Sequence, residues 1–382
     1  MSNLFKRSLI MMCLVMGISQ GADLNQLIEL TDAASSWTVH AGTPLYYTST
    51  HHHYQVVSQE IRALTSYDAK ATINLSPSSD YRLLSMLQDL DQIKNSQRSS
   101  DYFVLNSLDE LVYKVSRGTS ADLKPLVAAI SDQGILALAD PVRAHIYLYQ
   151  AGNLISEGQL YESEGDRSLE RNIYLQWVDD QCYIILERPG RAGSVAQAAL
   201  MIRINAAGRN QQTSILPFSY LQKFIFQANR LFISGYDYDP QDQKMNPLIV
   251  EVSARGKVLW SNENFGHELA ISSNGRYLAA LSSHEDIQLF DLQTKRVRQI
   301  HYDHADRVSL GLSINDQGQM AVIRVPVDFF VKRNSHAAQI YFPETKRTQR
   351  IQLDPRFPKI FQLHSDGDHF FIGTNYEWLE IR

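Results

Sequence analysis

The chain has 382 residues, 44% of them apolar, and a formal net charge of −5. That is ample material for a packed core. It argues against a nucleic-acid partner, because the basic stretches "KRVR" (295–298) and "KRTQR" (346–350) are short and fall in turn-like sequence.

Residues 1–21 have the layout of a secretory signal: Lys6 and Arg7, then an apolar run of 11 residues from Ser8 to Ile18, then the small-residue stretch "SQG". The run is too short to span a bilayer, and no later segment is long and apolar enough to be transmembrane. The expectation is an exported chain, periplasmic or secreted, with no transmembrane segment once cleaved. Cleavage after Gly21 takes the net charge from −5 to −7 and leaves Cys182 as the sole cysteine. Its setting, "CYIILE", predicts a buried thiol on a strand. Residues 22–53 read as an N-terminal extension: Leu24, Leu27 and Ile28 have helical spacing, and "PLYYTST" (44–50) is strand-like. His51, His52 and His53 read as a polar turn, since neighbours on an extended chain point to opposite faces and three do not converge on one ion.

From residue 54 onward one pattern recurs. "ISSNGRYLAALSSHEDIQLFDLQTKRVRQI", Ile271 to Ile300, gives a turn, a strand, a polar loop, a strand, a turn and a strand, and "HELAIS" just before it supplies a fourth strand. Taking the turn residue as marker, copies stand at Asp80, Gly134, Gln181, Asn229, Gly275, Gly318 and Gly367, spaced 54, 47, 48, 46, 43 and 49 residues apart. A repeat of this length holding four short strands is the pattern of a β-propeller blade. The turn and strand "SNGRYLAAL" (273–281) resembles the inner-strand entry of WD-repeat-like propellers, although the Trp-Asp pair of true WD repeats is missing and Gly-His does not recur from copy to copy. What the resemblance implies is the fold: all-β, a single propeller over residues 54–382 with about seven four-stranded blades, eight being the alternative count if 44–50 pairs within a blade. The C-terminal blade shows three strands, ending in "YEWLEIR". The missing outer strand is expected to come from "YQVVSQEI" (54–61), which would remove a bare sheet edge.

In propellers the loops joining second to third strands, and those joining successive blades, share one face, where rigidly held loops carry function. Three such loops are long here: 188–198, 235–247 and 325–338. Their aromatic residues Tyr236, Tyr238, Phe329 and Phe330 suit a partner surface. Arg143, Arg188, Arg191 and Arg333 are candidates for binding an anionic group. Asp237, Asp239 and Asp242 are weak calcium candidates that lack the glycine and closing glutamate of an EF-hand; otherwise no cofactor is expected. Asp303, His304 and Asp306 fall in a loop between blades and read as turn caps. The one Gly-x-Ser-x-Gly match, Gly17 to Gly21, falls inside the expected signal, and no zinc-protease helix or phosphate-cradling loop is present. The preferred expectation is an exported, non-catalytic scaffold whose partner is another envelope or secreted protein. The alternative is a propeller enzyme, lactonase-like or another metal-assisted hydrolase, with scattered ligands in the central channel.

Overall fold

The computed structural model describes residues 24–381 apart from 30–35, 39–44, 49–51, 58–59, 67–69, 79, 88–96, 109, 121–125, 161–171, 189–196, 228–229, 264, 266–267, 283–285, 302–306, 327–337, 352–359 and 375–376, with side chains for most of those from residue 74 onward. The expected signal at 1–21 lies outside the described residues. Within them the chain is all strand, arranged as eight antiparallel sheets of four.

Blade 1 comprises Ser36–Thr38, Leu45–Thr48, His52–Val57 and Glu60–Ser66; blade 2, Lys70–Leu75, Tyr81–Leu87, Gln97–Asn106 and Leu111–Ser120. Blade 3 is Val127–Ile130, Leu136–Asp140, His145–Gln150 and Asn153–Gln159; blade 4, Ile173–Val178, Gln181–Arg188, Gln197–Asn205 and Asn210–Ile215. Blade 5 is Tyr220–Gln227, Arg230–Asp239, Lys244–Val252 and Val258–Glu263; blade 6, Glu268–Ile271, Tyr277–Leu281, Ile287–Asp291 and Arg296–Ile300. Blade 7 is Arg307–Ile314, Met320–Pro326, Ala338–Phe342 and Arg347–Ile351. Blade 8 takes Ile360–Asp366, His369–Thr374 and Glu377–Ile381, and its fourth strand is Leu24–Glu29. First strands of successive blades contact one another from blade 1 to blade 4 and from blade 5 to blade 8, that of blade 5 meets the second and third strands of blade 4, and that of blade 8 meets that of blade 1.

The propeller and its closure by an N-terminal strand therefore hold, with two corrections. The blade count is eight, the alternative. The closing strand is Leu24–Glu29, which pairs with Glu377–Ile381, and not 54–61. Residues 54–61 instead span the third and fourth strands of blade 1, which pair with each other from Tyr54↔Ala63 to Val57↔Glu60. Glu60–Ser66 does precede blade 2 as an outer strand, but the outer strand of a blade of its own. Residues 22–53 are accordingly no extension, and His52 and His53 open a strand. The helical spacing of Leu24, Leu27 and Ile28 is met by a β-bulge: the register passes from Gln26 to Ile28 and skips Leu27. An unpaired strand edge recruits this segment, whatever its own helical periodicity.

The repeat marker is a turn with fixed chemistry. In blade 6 the Gly275 N–H donates to the Ser272 carbonyl (2.8 Å) and the Tyr277 N–H to Ser272 Oγ (3.0 Å). Gly275 sits at φ 71°, where a glycine is unstrained. Blades 3 and 7 repeat this around Ser131/Gly134 and Asn315/Gly318. These turns also link blades, as Asn274 N–H donates to Asp316 Oδ1 (2.8 Å) and Ser78 Oγ to Asp132 Oδ1 (2.6 Å).

The core is a series of layers between blades. Leu136–Asp140 is buried at every position, because its sheet is covered by a neighbour on each face. Outer strands such as Arg296–Ile300 are mostly exposed. Between blades 3 and 4, Ala137, Ala139, Ile146 and Leu148 meet Trp177, Cys182, Ile184 and Ile202. Cys182 is fully buried, as expected, and burial pushes its thiol well above the ordinary range.

Candidate functional site

Antiparallel order puts the turns between first and second strands, and between third and fourth, at one end of every blade. The second-to-third loops and the blade-to-blade connections emerge at the other end, here called the long-loop face. Blade 5 stands taller than blade 6 at this face. Its two middle strands have ten and nine residues, whereas those of blade 6 have five each. The stretch 235–247, expected as a loop, is thus the end of a paired hairpin closed at 240–243.

The three acidic residues of that hairpin do not form a ligand set. Asp239 Oδ1 accepts the N–H groups of Gln241 (2.8 Å) and Asp242 (3.4 Å), so it builds the turn. Asp237 Oδ1 accepts from Ser219 Oγ (3.4 Å). Among the described residues no three His, Cys, Asp or Glu side chains gather as a metal site.

The base of the hairpin is clamped by the connection from blade 4. The Ser219 N–H donates to the Tyr236 carbonyl (2.9 Å), and the Tyr238 N–H donates to Ser219 Oγ (3.1 Å). Gly235 is required there: a Cβ would lie 2.1 Å from the Tyr220 carbonyl oxygen. A bulge between Leu221 and Lys223 lets the first strand follow this close approach.

Register then decides what the hairpin displays. Tyr236 pairs with Tyr220 on one side and Pro247 on the other, and Tyr238 pairs with Met245. Side chains two apart on a strand share a face, so Tyr220, Tyr236, Tyr238, Met245 and Pro247 form one strip on the side toward blade 6. Tyr220 is 42% exposed and Met245 39%, with Tyr236 and Tyr238 half-buried between them. Deeper on the same side, Lys223 forms an ion pair with Glu268 of blade 6.

The expected residues are only partly brought together. Tyr236 and Tyr238 are joined. Arg188 is half-buried, and its Nε donates to the Ala198 carbonyl (2.6 Å), so it ties its own blade rather than offering a free fork. Next to it, Glu187 accepts the N–H of Leu221 and the Asn172 side-chain amide (3.0 Å). Tyr174 donates to the Gln222 carbonyl (3.3 Å); burial, then the nearby Glu187, raises its phenol above the ordinary value. Arg143 stands in blade 3, exposed, 4.0 Å from Asp140, whose Oδ1 also caps the turn. Arg191, Phe329, Phe330 and Arg333, like Asp303, His304 and Asp306, lie outside the described residues. Sequence reasoning missed Tyr220 and Met245, because only the pairing register sets them beside Tyr236 and Tyr238.

No protein-family model matches the chain, and no curated protein does. Among solved structures it is similar to the C-terminal WD40 domain of Sif2, at 12% identity and TM-score 0.59, over 95% of this chain and 99% of that one. It is also similar to BamB from Moraxella catarrhalis, at 7% identity and TM-score 0.54, over 95% and 98%. At such identities the likeness is one of fold, and the WD40-like propeller is what it shows.

Proposed function

We propose that this chain is an exported, non-catalytic propeller that holds a protein partner on its long-loop face, gripped by the strip of Tyr220, Tyr236, Tyr238 and Met245. The observation that carries the reading is a run of aromatic and thioether side chains, partly exposed, on a hairpin fixed at its base. Tyrosine and methionine are enriched where proteins bind proteins. A clamped hairpin loses little further freedom on association, so more of the contact energy appears as affinity. Export is supported by the basic and apolar segments of residues 1–21; cleavage after Gly21 would spare the closing strand, which begins at Leu24.

The test compares the parent with the triple variant Tyr236→Ser, Tyr238→Ser, Met245→Ser in capture from an envelope extract after crosslinking. The expected result is loss of a specific partner band with an unchanged melting curve. Equal capture by both proteins refutes the site. For export, residues 1–40 fused to a phosphatase that is active only outside the cytoplasm should give activity, and an inactive fusion refutes that part.

A further inference from the structure

Between the outer halves of blades 5 and 6, at the end opposite the tyrosine strip, lies a cleft of about 360 Å³. Its floor is Trp260, packed edge-on against Phe290 with ring centroids 4.9 Å apart. Its lips are Leu259, 58% exposed, and Val297, 56% exposed.

The turn above the cleft differs from those of the two blades before it and uses a left-handed lysine, as blade 7 does at Lys346. In blades 4 and 5 the turn between third and fourth strands presses on the blade before it. A Cβ at Gly208 or Gly256 would lie 2.1 Å or 2.0 Å from the hydroxyl of Ser156 or Ser214, so both gaps are shut. In blade 6 the left-handed position of that turn is held by Lys295, at φ 57°. A lysine is strained where those two blades use glycine. Here the gap stands open over Trp260, with Lys295 at its rim, while Arg296, two residues from the Arg298 that pairs with Glu344, stands on the side toward blade 7.

The charges leave one cation, Lys295, unneutralised at the cleft. Arg230 is neutralised by Glu251 through two bonds of 2.7 and 2.8 Å. Asp291 is bound by Arg276 at 2.9 Å, and that guanidinium holds its carboxyl well below the usual range. Among the described residues no carboxylate pairs with Lys295 or Arg296. The volume falls at the low end for small-molecule sites, and a cavity of about 150 Å³ already admits one benzene ring, so there is room for one or two rings and an acid group.

We propose that this cleft binds a small aromatic carboxylate, its ring on Trp260 between Leu259 and Val297 and its carboxylate at Lys295. The site is independent of the partner reading, since it uses none of the strip residues and opens at the other face. The test is calorimetric titration of the full chain with indole-3-acetate, 2-naphthoate and the neutral 2-naphthamide. The variant is Lys295→Gly, which relaxes the turn and removes the charge without touching the floor. At least one acid is expected to saturate the protein, with the amide and the variant each about two- to fivefold weaker, as loss of a partly exposed charge interaction implies. No saturable binding of either acid in the low millimolar range overturns the proposal. So does equal affinity for acid and amide, or a variant that binds like the parent.

Discussion

Replacing Gly235 with alanine adds one methyl group at the base of the displayed hairpin. Its Cβ would meet the Tyr220 carbonyl oxygen at 2.1 Å, Phe218 Cδ1 at 3.0 Å and Leu221 Cα at 3.2 Å. The nearest obstacle is backbone, so the first strand of blade 5 must move, and no side chain can rotate away. Phe218, fully buried, blocks the other exit. Overpacking of this kind costs about 1–3 kcal/mol, and backbone against backbone belongs at the upper end. For a chain of this length the unfolding entropy is about 0.75 kcal/mol per degree, so 3 kcal/mol lowers the melting temperature by about 4 °C. The control is Gly158→Ala, in the outer strand of blade 3, where an added Cβ meets nothing within 4 Å. There the same methyl restricts only the unfolded chain, and a gain of about 0.4–1 kcal/mol is expected. Thermal unfolding followed by circular dichroism compares the two. A Gly235→Ala protein that melts with the parent, or no lower than Gly158→Ala, would refute the close approach that positions Tyr236. Partner capture should fall with stability in Gly235→Ala and stay intact in Gly158→Ala.

Removing residues 1–29 strips blade 8 of its fourth strand and bares the edge of Glu377–Ile381, so this protein should melt lower and aggregate, whereas one beginning at residue 22 should not; equal melting and solubility would disprove the closure. Cys182, fully buried and with its thiol pushed up by burial, should resist a maleimide in the native protein and react once urea unfolds it; native labelling at the rate of the unfolded chain would contradict the packing of blades 3 and 4. Asp291 is held below its ordinary value of 3.8 by the Arg276 hydrogen bond, so the folded state takes up its proton less readily than the unfolded one. That contribution is full above the unfolded value and fades as pH falls toward the folded one. Urea melts should therefore show Arg276→Gln less stable than the parent at about pH 7, with the gap narrowing by about pH 3. A gap of constant size would assign the pair no role.

Local chemistry made most of the ring legible. The turn at Gly275 recurs because a serine or asparagine three residues earlier accepts the same bonds in several blades, and a short turn needs nothing from the rest of the molecule. The unbroken apolar runs "LALAD" and "YLAAL" likewise record strands covered on both faces. Blade 1 escaped because residues 39–44, between its first two strands in sequence, precede Asp80 by 36 to 41 residues, short of the 43–54 spacing elsewhere. Leu24–Glu29 escaped because its own periodicity is helical, and a bulge at Leu27 reconciles it with a partner more than 340 residues away.

By itself, then, the sequence determined the strand content, the repeated turns and the need for a strand to close the last blade, since these follow from propensities and bonds within a few residues. Tertiary structure alone decided which N-terminal segment closes the ring, and hence that there are eight blades. It also decided that Tyr220 and Met245 join Tyr236 and Tyr238, and that the gap beneath Lys295 stays open where Gly208 and Gly256 shut theirs. The reason is the same in each case: pairing register and contact between blades depend on residues far apart in the chain, and no local pattern encodes which distant edge a strand will meet.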